Sequence, residues 1–176
     1  MTNHSYFNLS GDPAGHSICD DILYVNASNF TPVDDTYMTD GTIVPVEGTP
    51  MDFTQGELIG KRQQEDFPAL KYGKGYDNNW VVDDWKPGVV KPVAELSEKS
   101  SGRKLIVSTD APGIQVYTGC WLEGCPLSKS GKQYHDYDGV AMECQAFPDS
   151  PNHSNFPFKT LKKGETYLNT IVFSFK

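Results

Sequence analysis

Four side chains in this sequence have types and settings suited to work on a polar organic ligand: His4, Asp77, Gln115 and Glu143. His4 stands in TNHSYFNL, close to the first residue of the chain. An imidazole near its ordinary pKa can give or take a proton at physiological pH, which is what acid/base catalysis requires. A lone histidine is more often a surface or hydrogen-bonded residue, so the stretch alone leaves both readings open. Glu143 lies in GVAMECQAFPD, where Ala141, Glu143 and Gln145 alternate with Val140, Met142 and Cys144. A carboxylate sharing a strand face with an amide, and followed by Phe147, suits a sugar site, in which a ring stacks while polar groups bind hydroxyls. The competing reading is a strand face open to solvent.

Asp77 follows a glycine-rich turn in KYGKGYDNNWVVDDW and enters a tryptophan-bearing run. It is equally suited to a turn-capping Asx role. Gln115, in PGIQVYTG, shares its strand face with Tyr117. Singly, none of the four is decisive.

The elements that must position them read as an all-β protein. Glycines and prolines punctuate the whole length, and the runs between them are short and β-rich. Strands are expected over Tyr6–Leu9, Ile22–Phe30, Asn79–Asp83, Val89–Glu95, Lys104–Thr109, Gly113–Thr118, Gly139–Phe147 and Thr166–Phe175. With a period of two, Asn3, Ser5, Phe7 and Leu9 fall on one face, and His4, Tyr6 and Asn8 on the other. Ser100-Ser101-Gly102-Arg103 fits a hairpin connection. The last strand is apolar on both sides, which places it in the middle of a sheet. Gly56–Gln64 is the one candidate for a short helix, weakened by Gly60. The long Gly/Pro-rich segment from Ile43 to Asp77 is of the kind that is functional or packed against a site. Strands with turns between them imply an antiparallel sandwich or barrel. With no repeat, low-complexity tract or internal boundary, residues 1–176 are expected to form one domain.

Composition narrows the function. Aromatic residues make up 12% of the chain, which argues against disorder despite a hydrophobic share of only 38%. A net charge of −8 disfavours nucleic acid and anionic membrane surfaces as partners, since both call for a basic patch. No apolar run approaches the ~18 residues of a membrane span. No charged-then-apolar leader is present, so a cytoplasmic location is expected unless a leader lies upstream of Met1. Cys19, Cys120, Cys125 and Cys144 show no CxxC pair and no metal-ligand spacing, and are expected to be reduced.

Taken together, TNHSYFNLSG, PVEGTPMDF, YGKGYDNNWVV, PGIQVYTG and VAMECQAFPDSPNHSNFP, in that order, resemble the C-terminal half of the aldose 1-epimerase (galactose mutarotase) family. The resemblance implies an antiparallel β-sandwich of the galactose-mutarotase type, present here as a portion of it, with an open sugar cleft. It implies interconversion of the α and β anomers of a free aldohexose such as galactose or glucose, without metal, nucleotide or other cofactor. It places the catalytic carboxylate on Glu143 and the general acid on His4, with Asp77 and Gln115 holding sugar hydroxyls. Family members also carry an N-terminal half that supplies an arginine and a second histidine. No residue of this chain matches those two, and Arg62, Arg103, His16, His135 and His153 lie outside the matching motifs. The implied partners are a monosaccharide and either a second copy or a complementary half-chain. Two other readings stay open. One is a sugar-binding or regulatory domain without turnover. The other is an epimerase of phosphorylated hexoses, which the acidic charge and the lack of a cationic clamp disfavour.

Overall fold

The computed structural model describes residues 1–11 and 16–176. Two antiparallel sheets are packed face to face around one apolar core. The first sheet holds six strands: β1 (Tyr6–Phe7), β3 (Asn29–Thr31), β4 (Val44–Pro45), β6 (Asp77–Val81), β9 (Gly113–Tyr117) and β10 (Val140–Gln145). Their spatial order is β1-β10-β9-β6-β3-β4. The second holds β2 (Ile22–Val25), β5 (Glu57–Leu58), β7 (Lys91–Ser97), β8 (Lys104–Thr109) and β11 (Ile171–Phe175), in the order β11-β8-β7-β2-β5. Among the described residues one short α-helix, α1 (Pro68–Gly73), opens with proline, whose fixed φ suits the first turn. It stops at Lys74, which is left-handed at φ 56°. Among the described residues no helix is long and apolar enough to cross a membrane.

Alternation along each strand sends one set of side chains into the core and the other outward. Ile114 and Val116 of β9, Met142 and Cys144 of β10, and Trp80 of β6 face inward and are buried. Leu105 and Val107 of β8 and Leu96 of β7 meet them from the second sheet. An aromatic cluster anchors the middle: Trp80 lies 5.9 Å from Phe53 and 6.1 Å from Tyr76, centroid to centroid. The polar tips of these rings are satisfied by the long connecting segment. Trp80 Nε1 donates to the Met51 carbonyl, and Tyr76 Oη donates to that of Pro50, both at 2.9 Å. The irregular stretch between Ile43 and Asp77 therefore closes one side of the core.

Two expectations need correction. Gly56–Gln64 is not an α-helix: Glu57 and Leu58 pair with Leu23 and Ile22 as β5, and a 3-10 turn over Ile59–Lys61 follows. Gly60 explains the compactness of that turn, because a Cβ there would sit 2.7 Å from the Cys19 Cβ. The last strand is not central. It begins at Ile171, pairs with β8 alone and forms the sheet edge. Its two-sided apolarity has another cause. Phe173 and Phe175 pack their rings on Phe7 at 5.0 and 6.1 Å, while Val172 and much of Phe175 stay exposed. The connection at Ser100–Arg103 does join the antiparallel pair β7 and β8, as its turn chemistry implies. The four cysteines are free thiols.

Candidate functional site

The outward face of the six-stranded sheet carries two transverse rows of polar and aromatic side chains. Register fixes both. In one row Tyr6 is paired with Ala141, Ala141 with Tyr117, and Tyr117 with Asp77. In the next, Glu143 is paired with Gln115, Gln115 with Asn79, and Asn79 with Thr31. Because residues two apart share a face, both rows point the same way. The site is thus built on strands rather than loops, and its chemistry is spread over β10, β9 and β6.

His4 lies two residues before β1 and reaches over the first row. Its Nε2 is 3.3 Å from Glu143 Oε1, close enough for an ion pair whenever the ring is protonated. Its ring is 5.1 Å from Tyr6 and 6.0 Å from Tyr117, and those two are 6.0 Å from each other. The three rings form one wall. Trp121 extends it: its backbone N–H donates to Tyr117 Oη at 3.1 Å. The Lys74 ammonium sits 3.8 Å above the Trp121 ring, a cation–π contact at the rim.

The two carboxylates occupy unlike surroundings. The Glu143 side chain is 10% exposed, whereas that of His4 is 52% exposed. Burial raises the Glu143 pKa above the usual carboxylate range, with a further push from the Asp77 charge, and His4 acts against both. Asp77 is also raised, again by burial first, while the hydrogen bond from Gln115 and the His4 charge lower it. That bond runs from Gln115 Nε2 to Asp77 Oδ1 at 2.8 Å. Burial pushes the Tyr117 phenol up to about 12 and also raises Tyr6, where Glu143 and Asp77 add to the effect. All four residues singled out in the sequence therefore meet on one sheet face. Asn79, Thr31, Tyr6 and Trp121 complete the surface. Asn79 is hard to find from the sequence, where the strand is expected to begin at that residue, whereas it begins at Asp77. The Asp77/Asn79 alternation is its only signal, and Asn78, turned into the core with neither amide atom partnered, obscures it.

A cavity beside the wall of rings does not hold this chemistry. Its volume is about 480 Å³, and its lining, Tyr6, Phe7, Leu122, Cys125 and Tyr134 among others, includes neither His4 nor Glu143. We place the site by its titratable groups, because proton transfer needs reach between donors and acceptors, not volume. The His4–Glu143 pair lies on a shallow face open on the His4 side.

No group of three or more His, Cys, Asp or Glu among the described residues could hold a metal ion. What the face offers is a proton acceptor beside a proton donor, two groups suited to hydroxyls, and aromatic rings.

Comparison with known proteins gives these features a family. The sequence model described as aldose 1-epimerase matches residues 1–174. The galactose mutarotase of Rattus norvegicus is 38% identical over 175 residues, covering 99% of this chain and 49% of the relative. The aldose 1-epimerase of Escherichia coli (strain K12) is 33% identical over 177 residues, covering 99% and 50%. Among solved structures, an aldose epimerase homologue from C. elegans superposes with a TM-score of 0.82 at 28% identity, covering 99% of this chain and 50% of its own. The galactose 1-epimerase from Lactobacillus acidophilus NCFM gives 0.73 at 26% identity, covering 99% and 48%. The chain spans about half the length of the curated relatives it matches. On a match that runs through nearly every residue, together with this sandwich, the chain belongs to the aldose 1-epimerase family.

Proposed function

We propose that this sheet face binds a free aldohexose and interconverts its α and β anomers, with Glu143 as base and His4 as acid. The observation that carries the reading is the 3.3 Å approach of His4 Nε2 to Glu143 Oε1. The anomeric hydroxyl oxygen and the ring oxygen of a pyranose are bonded to the same carbon. The group that deprotonates one and the group that protonates the other must therefore stand side by side, as these two do.

The protons balance within the pair. Glu143 takes the proton of the C1 hydroxyl while His4 gives its own to the ring oxygen, and the bond from C1 to the ring oxygen breaks to leave an open-chain aldehyde. After rotation about C1–C2 the ring oxygen attacks the other face of C1. Glu143 then returns a proton to the new hydroxyl, and His4 recovers one from the ring oxygen. Each positioned acid or base typically contributes on the order of 10²–10⁴-fold. Asp77 and Gln115 hold other hydroxyls and fix the sugar's orientation. Tyr6, Tyr117 and Trp121 offer ring faces to its apolar C–H surface.

The same reading extends to a protein partner. β1 and β11 end the two sheets on the same side, where Phe7 meets Phe173 and Phe175. Phe158, Leu168 and Phe175 are exposed nearby in the chain's last segments. Free edges with apolar side chains favour pairing with another polypeptide. We place a second copy or a complementary half-chain on that rim, with residues 1–176 acting as one domain of the larger sandwich. The half-exposed His4 ring favours one alternative, a face that binds sugar without turnover until such a partner covers it.

Polarimetry of freshly dissolved α-galactose tests the proposal. The chain, alone or with its partner, should speed the approach to equilibrium, and Glu143→Gln should abolish the effect. Equal rates with and without protein, alongside saturable galactose binding, would favour the binding-only alternative. Absence of both rate and binding would overturn the reading.

A further inference from the structure

The core-facing positions of β9 are Ile114 and Val116, and the alternation continues one residue past its end to Thr118. All three are wholly buried. A valine would serve packing at the third position as it does the second. Threonine differs from it by one hydroxyl, so the reason for this residue lies in what that hydroxyl touches.

It touches the residue just before Asp77. Thr118 Oγ1 accepts from the Tyr76 backbone N–H at 3.1 Å and donates to the Tyr76 carbonyl at 3.2 Å. The Thr118 backbone N–H donates to the same carbonyl at 3.0 Å. The Cys120 thiol, 3.1 Å from the hydroxyl, reaches that carbonyl from 3.7 Å. One side chain thus holds both peptide units that meet at Tyr76. The second of these is the planar unit that runs on into the Asp77 N–Cα bond, so holding its oxygen sets where Asp77 begins.

The approach to Asp77 gives this hold a purpose. Tyr76 is preceded by Lys74, left-handed at φ 56°, and by Gly75 at φ 148°. Neither belongs to a strand, and β6 opens only at Asp77, across from Tyr117. The end of a ladder is where pairing opens most readily. The contact between Thr118 and Tyr76 adds one closed rung beyond it, on the core side.

We propose that Thr118 is a positioning residue for Asp77. Its hydroxyl grips the Tyr76 backbone from the core side and so fixes the carboxylate on the outward face, where Gln115 Nε2 donates to it at 2.8 Å. Thr118 itself faces away from the ligand. For the ligand, a free hexose, the inference rests on the sugar-binding reading above; for the placement of Asp77 it does not.

The test reads the side-chain NH₂ signals of Gln115 in the ¹⁵N-labelled chain, identified by their loss in Gln115→Leu, because their acceptor is Asp77 itself. Thr118→Val should shift or broaden these signals and weaken galactose binding about tenfold, the equivalent of one orienting hydrogen bond. Thr118→Ser, which keeps the hydroxyl, should restore both. Val107→Ala opens a cavity in the buried face of the other sheet, lowers stability as well, and should change neither. Unmoved Gln115 signals in a folded Thr118→Val chain overturn the proposal, and so does an equal effect of Val107→Ala. If Thr118→Val does not fold, hydrogen exchange of the unsubstituted chain decides. A Tyr76 amide as well protected as those of β6 upholds the clamp, and one exchanging as fast as exposed loop amides overturns it. Moved signals with unchanged affinity overturn the functional half. If the unsubstituted chain does not bind galactose, the sugar reading falls, and the Gln115 signals alone decide what Thr118 does.

Discussion

Gln115 stands directly across the sheet from Glu143, yet it gives its side-chain N–H to Asp77 on the other neighbouring strand, at 2.8 Å. The two carboxylates are thereby given different companions on one face. Asp77 has a neutral amide donor. Glu143 has an imidazole 3.3 Å away. The negative charge of Asp77 still reaches Glu143 and raises its pKa. Environment, not residue type, sets the two carboxylates apart.

Under the proposed mutarotation, a pH profile follows from that coupling. Burial and the Asp77 charge hold the Glu143 pKa up, so the acid limb of kcat/KM should lie above the ~4.3 of an ordinary glutamate. Asp77→Asn removes one of the raising causes, and the limb should move to lower pH while overall activity drops. His4→Gln removes the opposing influence and should move what activity remains to higher pH. A limb that stays put in Asp77→Asn would break the assignment of the base to Glu143. Rates measured by polarimetry between pH 4 and 8 decide this.

Gly113→Ala tests how tightly the strands carrying the site are packed. Gly113 pairs with Gln145 on one side and Val81 on the other. An added Cβ would meet Asn79 Oδ1, and would approach the Phe147 ring to 2.8 Å. Since overpacking costs typically 1–3 kcal/mol, the thermal midpoint should fall by roughly 3–9 °C. Calorimetry of the two proteins side by side gives the answer, and an unchanged midpoint would mean that the Phe147 loop yields freely.

What the sequence makes legible divides along physical lines. Gly113–Thr118 alternates between buried and partly exposed positions, and Gly139–Phe147 alternates in side-chain type although both its faces are largely buried. That alternation is enough to put Gln115 and Glu143 on the outward face. His4 and Tyr6 lie on one side of β1 for the same reason. Periodicity fails where the chain is not a repeating element. Gly56–Gln64 has helix-like spacing, but Glu57 and Leu58 are claimed by pairing with β2, and long-range pairing overrides local preference. The last strand fails differently. Apolar residues on both faces read as central, yet they also suit an edge strand with one face on the core and the other left open. That four distant segments converge on one sheet face is implied by the family resemblance, since no single spacing encodes it.

Trp80→Phe probes the link between the core and the Ile43–Asp77 segment. Phenylalanine fills most of the space but leaves the Met51 carbonyl without its donor. An unsatisfied buried acceptor costs about 1–3 kcal/mol, to which the lost ring volume adds. The variant should unfold at lower denaturant with the slope unchanged. Sugar binding should persist in the folded fraction, since Trp80 points away from the site face.

Asp21 gives stability a pH dependence that is independent of the site. It is 3% exposed, with Oδ2 unpartnered among the described residues. Burial, then the charges of Glu98 and Asp20, raise it to about 7. Glu98 keeps its charge throughout, held down to about 2 by hydrogen bonds from Ser101 and Ser100. The folded chain therefore keeps the Asp21 proton until about pH 7, whereas an unfolded aspartate releases its own near ~3.9. Between these values ionisation favours the unfolded state, so this group's contribution to stability declines as pH rises from ~4 toward 7. Thermal midpoints of the unsubstituted chain and Asp21→Asn should lie closest near pH 4 and diverge toward pH 8, with the variant higher. A constant difference across that range would remove Asp21 as the cause.

The exposed rim supplies the last prediction. β1 is two residues long and β11 presents Val172 and Phe175 to solvent, so two adjacent sheets end in unpaired backbone beside apolar side chains. Such edges are blunted in monomeric proteins by charge, proline or cover. Here Phe175 is 63% exposed. Size-exclusion chromatography should show association that grows with concentration. Phe175→Lys and Val172→Lys place charge on the edge without touching His4, Glu143, Asp77 or Gln115. Together they should shift the population toward monomer and leave galactose binding intact. A monomer at every concentration before substitution would show that the rim is not a pairing surface. Loss of binding on conversion to monomer would instead mean that the partner shapes the sugar face, the outcome that ties the open His4 side of the site to the rim.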